Sequence, residues 1–209
     1  MKGPVFILAA FALSVPLAAT WAAAPAAVAT AVQVQVVDER GMPVRDAVVE
    51  LTPNGGWRGG AIRFAERPAM AQKNVAFAPG TLIVARGSTV AFPNLDSVRH
   101  SVYSFSKAAR FEIDLYGRDQ TRSHSFPIAG TVAVGCNIHD QMRGYIRVVD
   151  TPFAGKTDQN GLVRLSGMTP GGYQLTVWHP QARTPGGESK RPIAVGAAPS
   201  SQKIALKLR

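Results

Sequence analysis

Cys136, His139 and Met142 stand in the order C-x-x-H-x-x-M, so a thiolate, an imidazole and a thioether fall within seven residues. Soft sulfur donors beside imidazole suit a redox-active metal, copper above all. His100, on an earlier apolar segment, is the fourth candidate. Two histidines, one cysteine and a weak axial methionine form the donor set of a copper site that transfers electrons. The chain has one Cys, and it lies in this motif. A structural zinc site takes four donors, mostly Cys or His, which this set does not supply. A Cys–His nucleophile pair uses the same residue types. Nothing in the sequence marks the oxyanion hole or third orienting group it would need, so the chain reads as a non-enzyme.

Such donors need rigid elements to hold them. Thr131 to Cys136 reads as a strand in which Val132, Val134 and Cys136 share one face. The valines face a core, and the sulfur faces it with them. His139 and Met142 are expected on the loop that follows, with Gly144 turning it back into a strand from Tyr145 to Val149. His100 and Val102 share parity on a strand from His100 to Phe105, which aims His100 at the same end of the core.

The rest of the chain is also strand-like. Val32 to Val36 alternates apolar and polar residues, and Asp46 to Leu51 puts Ala47, Val49 and Leu51 on one face. Further strands are expected at Thr81 to Ala85, Ser88 to Phe92, Phe111 to Tyr116, Leu162 to Leu165, Tyr173 to Trp178 and Lys203 to Leu208. Turn residues separate them at Asp38 to Gly41, Arg86-Gly87, Pro93-Asn94-Leu95-Asp96 and Thr157 to Gly161, and Asn54 to Gly60 reads as a loop or linker. No long helix is expected. Many short strands with glycine and proline turns predict an all-β chain of antiparallel sandwiches.

The first residues have the pattern of an export signal: Met1-Lys2, an apolar run from Val5 to about Ala19, then small residues. Residues 1–31 are assigned to it, with cleavage after Ala24, Ala29 or Ala31; Pro25 disfavours the first. The apolar run is shorter than the ~20 residues of a membrane span, so no stable insertion is expected after cleavage. The mature chain, roughly 180 residues, is long enough for one or two cores. A lone thiol in an oxidising compartment forms no disulfide within the monomer, and metal ligation would protect it. The formal charge is +10. Export argues against nucleic acid, and the basic residues are scattered, so either an acidic protein partner or solubility alone accounts for the charge.

At this point the residues resemble cupredoxins. The short C-x-x-H-x-x-M loop is similar to that of amicyanin, whereas plastocyanin has a longer gap before its Met. Phe92 to Phe105, Phe111 to Tyr116, Gly135 to Asp140 and Val148 to Pro152 resemble the plastocyanin-like "methylamine utilization protein" family. The resemblance covers about Met70 to Pro152. It implies a Greek-key β-sandwich over residues 61–152, with His100, Cys136, His139 and Met142 as ligands to one copper per chain, cycling between Cu(I) and Cu(II). Cupredoxins often carry Asn after the first His ligand, where it ties the ligand segments together. Here that residue is Ser101, which leaves open whether the tie is kept. The flanks, residues 32–60 and 153–209, resemble a smaller carboxypeptidase regulatory-like, or transthyretin-like, sandwich interrupted by the copper segment. That both flanks extend one large sandwich is the alternative.

The implied function is that of a periplasmic type 1 (blue) copper protein carrying single electrons. An acidic redox protein, a c-type cytochrome or a dehydrogenase, is the implied partner. A periplasmic copper carrier or chaperone is the second reading, and a scaffold role for the flanking sandwich a third. His139 is the expected electron edge, with His100 more buried. Arg99, Lys107, Arg110 and Arg143 are either a basic docking rim or ordinary surface charges. His124 reads as a solvated loop residue and His179 as a structural one. Tyr103 and Phe105, opposite in parity to His100, are expected to pack against the flanking sandwich.

Overall fold

The computed structural model describes residues 30–209; the export signal expected over residues 1–31 falls almost wholly outside them. Two strands come first: β1 (Thr30–Asp38) and β2 (Val48–Pro53). A central block follows, with β3 (Ala71–Gln72), β4 (Phe77–Ala78), β5 (Thr81–Ala85), β6 (Ser88–Pro93), β7 (His100–Ser106), β8 (Ala109–Tyr116), β9 (Thr121–Phe126), β10 (Gly130–Cys136) and β11 (His139–Val149). The chain ends with β12 (Ala154–Lys156), β13 (Leu162–Met168), β14 (Gly171–Trp178), β15 (Glu188–Val195) and β16 (Ser200–Leu206). The fold is all-β, and no described helix is long and apolar enough to cross a membrane.

The strands before Asn54 and after Pro152 assemble with one another. One sheet has the order β13-β1-β16 and the other β12-β2-β14-β15. Val32, Val34 and Val36 of β1 meet Val49, Leu51, Tyr173, Leu175 and Val177 in a single apolar core. This follows from the period-2 alternation, which gives each strand one apolar face. β1 begins at Thr30, which is buried with Ala31 and paired to β13. Cleavage after Ala31 would remove both residues from the sheet, whereas cleavage after Ala29 leaves the strand whole.

The central block has its own core. The sheet β5-β11-β10-β7-β8 packs against the pair β6-β9, and Leu82, Val90, Phe92, Val102, Phe126, Val132, Val134, Ile146 and Val148 fill the space between. Strand β11 serves the central core on one face and the contact between the two sandwiches on the other. Its even-numbered residues from Met142 to Val148 face the central core, and Tyr145, Arg147 and Val149 face the flanking sandwich. There Val48, Ile83, Val149 and Trp178 form a small apolar contact, with the Tyr145 ring edge-on to Trp178 at 5.3 Å. Arg147, 4 % exposed, pairs with Glu50 of β2 and with Glu188 of β15 at 2.5 Å, and it donates to Thr131 at 2.7 Å.

Several elements differ from expectation. Asp46 is a turn residue with φ 58°, so β2 starts later than Asp46. β9 is polar up to Phe126, and β15 opens on the polar stretch Glu188 to Arg191 and then Pro192, so neither shows the alternation that marks a strand in sequence. β15 lies at a sheet edge, where Pro192 costs no ladder bond on its open side.

Candidate metal centre

His139 and Met142 lie on a strand rather than in a loop. Only Asn137 and Ile138 form the turn between β10 and β11. Gly135 pairs with Arg143, but Cys136 pairs with His139, so Asp140, Gln141 and Met142 have no partner on β10. This bulge of three residues does two things. It lets His139 turn inward, although its parity matches the outward residues Arg143 and Tyr145. It also keeps Met142 on the inner face, where the unbroken register would set it opposite Cys136. Gly144 is not at the turn. It is glycine because a Cβ there would lie 3.0 Å from the Phe77 Cβ and 3.2 Å from the Met70 sulfur.

The fold brings His100, Cys136 and His139 together. His100 Nδ1 and His139 Nδ1 are 3.2 Å apart, and the Cys136 sulfur is 3.8 Å from the first and 3.7 Å from the second. A point equidistant from the three atoms lies about 2.1 Å from each. Metal–nitrogen bonds of about 2.0–2.1 Å and metal–sulfur bonds of about 2.3 Å at a zinc centre show that this is the size of a first-row metal ion. The three donors therefore fit the copper implied by their chemistry. His100 is 0 % exposed and Cys136 2 %, whereas His139 is half-buried, so one imidazole alone reaches toward solvent. Met142 is 1 % exposed and belongs to the same apolar cluster as Cys136.

Polar partners hold the donors. Ser101 Oγ accepts the Asn137 N–H at 2.9 Å and directs its own O–H toward the Cys136 sulfur at 3.7 Å. The serine thus ties the His100 strand to the Cys136 turn. Asp96 accepts from His100 Nε2 at 2.8 Å. Burial works against ionisation of this carboxyl, but the Val75 N–H, His100 and the Asn74 N–H outweigh it and hold the carboxyl below its usual range. Asn94, fully buried, donates to the carbonyls of Val98 at 2.9 Å and Tyr116 at 3.0 Å and so shapes the loop leading to His100. From sequence Asn94 and Asp96 read only as turn residues. The legible signal was the spacing, since Asp96 stands four residues before a candidate ligand.

The other singled-out residues fall away from the donor triangle. His124 is on β9, not in a loop, and its ring stacks on Phe111 at 3.9 Å; burial lowers its pKa. His179 follows β14 and accepts the Gln181 N–H at 3.3 Å, a structural role; burial likewise lowers its pKa, opposed by Asp46. Phe105 does not pack on the flanking sandwich: it is 72 % exposed, and Arg110 lies over its ring at 5.2 Å. Tyr103 lies over Gly135, where a Cβ would come within 2.8 Å of the ring. Arg99 donates to the Leu115 carbonyl at 2.8 Å, and Arg99, Lys107, Arg110 and Arg143 are all exposed.

No protein-family model matches the chain, and no curated protein matches it. Solved structures with similarity include a Cu(I) form of an amicyanin mutant, 24% identical over 39% of this chain and 80% of that one, with a TM-score of 0.37. A purple cupredoxin from Nitrosopumilus maritimus is 20% identical over 39% of this chain and 98% of that one, with a TM-score of 0.35. A Cu-containing nitrite reductase from Thermus scotoductus is 24% identical over 46% of this chain and 25% of that one, with a TM-score of 0.39.

Proposed function

We propose that this chain is an exported, periplasmic electron carrier that holds one copper ion on His100, Cys136 and His139, with Met142 as a weak axial donor. The observation that carries the reading is the buried donor triangle, already sized for a metal, with a single edge toward solvent. A copper ion bound there supplies a one-electron Cu(II)/Cu(I) couple. The residues do the rest. Strands β7, β10 and β11 fix the donors in advance, so little needs to move when the charge changes. Cys136 and Met142 are buried in the same apolar cluster as Val134, Phe92, Val102 and Ile146, and that burial would exclude water and keep the sulfur from oxidants. His139 offers the path by which an electron enters or leaves. A visible absorption spectrum of the copper-loaded protein tests the reading: an intense thiolate-to-copper band is expected, and a colourless Cu(II) protein would exclude it. Exchange of copper with a chelator separates a carrier of electrons from a carrier of copper, since the second should release its ion readily.

Met142 would tune the potential as a fourth, weak donor. Met142→Leu should keep copper and raise the reduction potential, because loss of a donor disfavours Cu(II) more than Cu(I). Met142→Gln should lower it, because a harder oxygen favours Cu(II). Voltammetry of the three proteins checks this, and identical potentials would remove Met142 from the ligand set.

The partner we propose is an acidic redox protein that docks near His139. Arg143 is exposed one residue beyond Met142, and its Nε lies 3.4 Å from the Asp140 carbonyl. Electrostatic steering raises on-rates by roughly 10-fold or more and is screened as the Debye length falls to ~3 Å at 1 M salt. Electron transfer measured by stopped flow should slow with salt, and Arg143→Glu should slow it at low salt without changing the copper spectrum. The exposed apolar residues Ile138, Leu95 and Val98 flank the ligands in the chain. A rate indifferent to salt and to Arg143→Glu would assign docking to them instead.

A further inference from the structure

Asp96 stands where three segments meet. Its Oδ2 accepts from His100 Nε2 at 2.8 Å and from the Val75 N–H at 2.9 Å, and its Oδ1 accepts the Asn74 N–H at 2.6 Å. Its own N–H donates to the Asn94 side-chain oxygen at 2.9 Å, which fixes the carboxylate from behind. Asn74 and Val75 form the tip of the β3–β4 hairpin, and both have left-handed backbone, with φ of 56° and 55°. Asparagine tolerates that region, but for β-branched valine it is costly. Two successive N–H groups converging on one carboxylate offset the cost. The same hairpin continues to Phe77, which packs against Gly144, two residues past Met142. His139 has no equivalent support: among the described residues its ring meets His100 and Cys136.

We infer that Asp96 is a positioning residue that builds the His100 half of the site before any metal arrives. By accepting from Nε2 it fixes the tautomer that leaves the Nδ1 lone pair aimed at Cys136 and His139. It also sets one negative charge against that ligand, which favours the more highly charged oxidised ion. The inference rests on the reading of His100 as a copper ligand, and it makes the 73–76 tip part of the site through Asp96. An amide cannot replace the carboxylate fully. One oxygen and one NH2 cannot accept from three donors.

The test uses the full chain in metal-free and copper-loaded forms. In the metal-free wild type, nitrogen-15 NMR should show His100 as the Nε2–H tautomer, with slowly exchanging Asn74 and Val75 amides. In Asp96→Ala the His100 signals should average over tautomers, the two amides should exchange faster, and copper affinity should fall by ~10–100-fold. Asp96→Asn should retain the copper band and the tautomer but raise the reduction potential, because the charge is gone while an acceptor remains. Should the alanine variant fail to fold, the asparagine variant carries the test. An unchanged His100 tautomer in Asp96→Ala, or an unchanged potential in Asp96→Asn, overturns the inference. A wild type that takes up no copper sinks the copper reading instead, and the metal-free spectra then decide the role of Asp96 on their own.

Discussion

Cys136→Ser should leave the copper-loaded protein without its intense visible band. The colour arises from charge transfer out of a thiolate, and a serine hydroxyl is neither soft nor ionised at neutral pH. The serine oxygen is also smaller than sulfur, so it sits farther from the point about 2.1 Å from the three donor atoms. The fold should survive, because the substitution removes little volume and Ser101 still holds the turn through the Asn137 N–H. Burying one more hydroxyl costs about 1–3 kcal/mol if it is left unpaired. Absorption and circular dichroism on the same samples separate loss of the site from loss of the fold. A serine variant that keeps the band would mean that the copper sits elsewhere.

Arg147→Met should destabilise the protein by about 3–5 kcal/mol at neutral pH, because it strands a buried carboxylate. Glu50 is 7 % exposed. Burial pushes its carboxyl up, and the Arg147 guanidinium is what chiefly opposes that. Without the arginine, Glu50 has a folded-state pKa well above its unfolded one. The penalty is then absent below the unfolded carboxyl range and grows as pH rises toward the folded pKa. The urea midpoint of Arg147→Met should therefore lie closer to that of the wild type at pH 5 than at pH 8. Adding Glu50→Leu should recover most of the loss, since Glu188 keeps Lys190 at 2.6 Å. The same ion cluster joins the two sandwiches, so the single substitution should also split one unfolding transition into two. A variant with the wild-type midpoint at both pH values would show that the apolar contact of Val48, Ile83, Val149 and Trp178 holds the sandwiches together unaided.

The interface also bears on the role of the flanking sandwich. Strand β2 buries Val49 and Leu51 in one core and presents Val48 and Glu50 to the other sandwich. Cutting the flanks away would expose Tyr145, Val149 and Arg147 on the strand that carries His139 and Met142. A truncated chain would thus report on the stability of β11 as much as on any separate task of the flank.

Local pattern was enough wherever one side chain in two had to be apolar. The alternation in β1, β7, β10 and β14 follows from the pleat, and a pleat is a property of neighbours in sequence. The same logic put Cys136 on the core face with Val132 and Val134, and His100 with Val102. Elements without such a pattern were not legible. β9 is polar because its outer face meets water, and its His124 owes its environment to Phe111, which comes from another strand.

The donor types and their order were therefore determined by the sequence itself, since ligand chemistry belongs to each side chain alone. What only the tertiary structure decided was how those donors meet. The three-residue bulge in β11 turns His139 inward against its parity, Ser101 reaches across to the Asn137 turn, and Asp96 reaches back to a hairpin tip 21 and 22 residues earlier. Each of these depends on a pairing register or a contact between distant segments. Register and long-range contact are set by which faces the strands bury against one another and by the geometry of the turns between them, and no single window of consecutive residues contains that information.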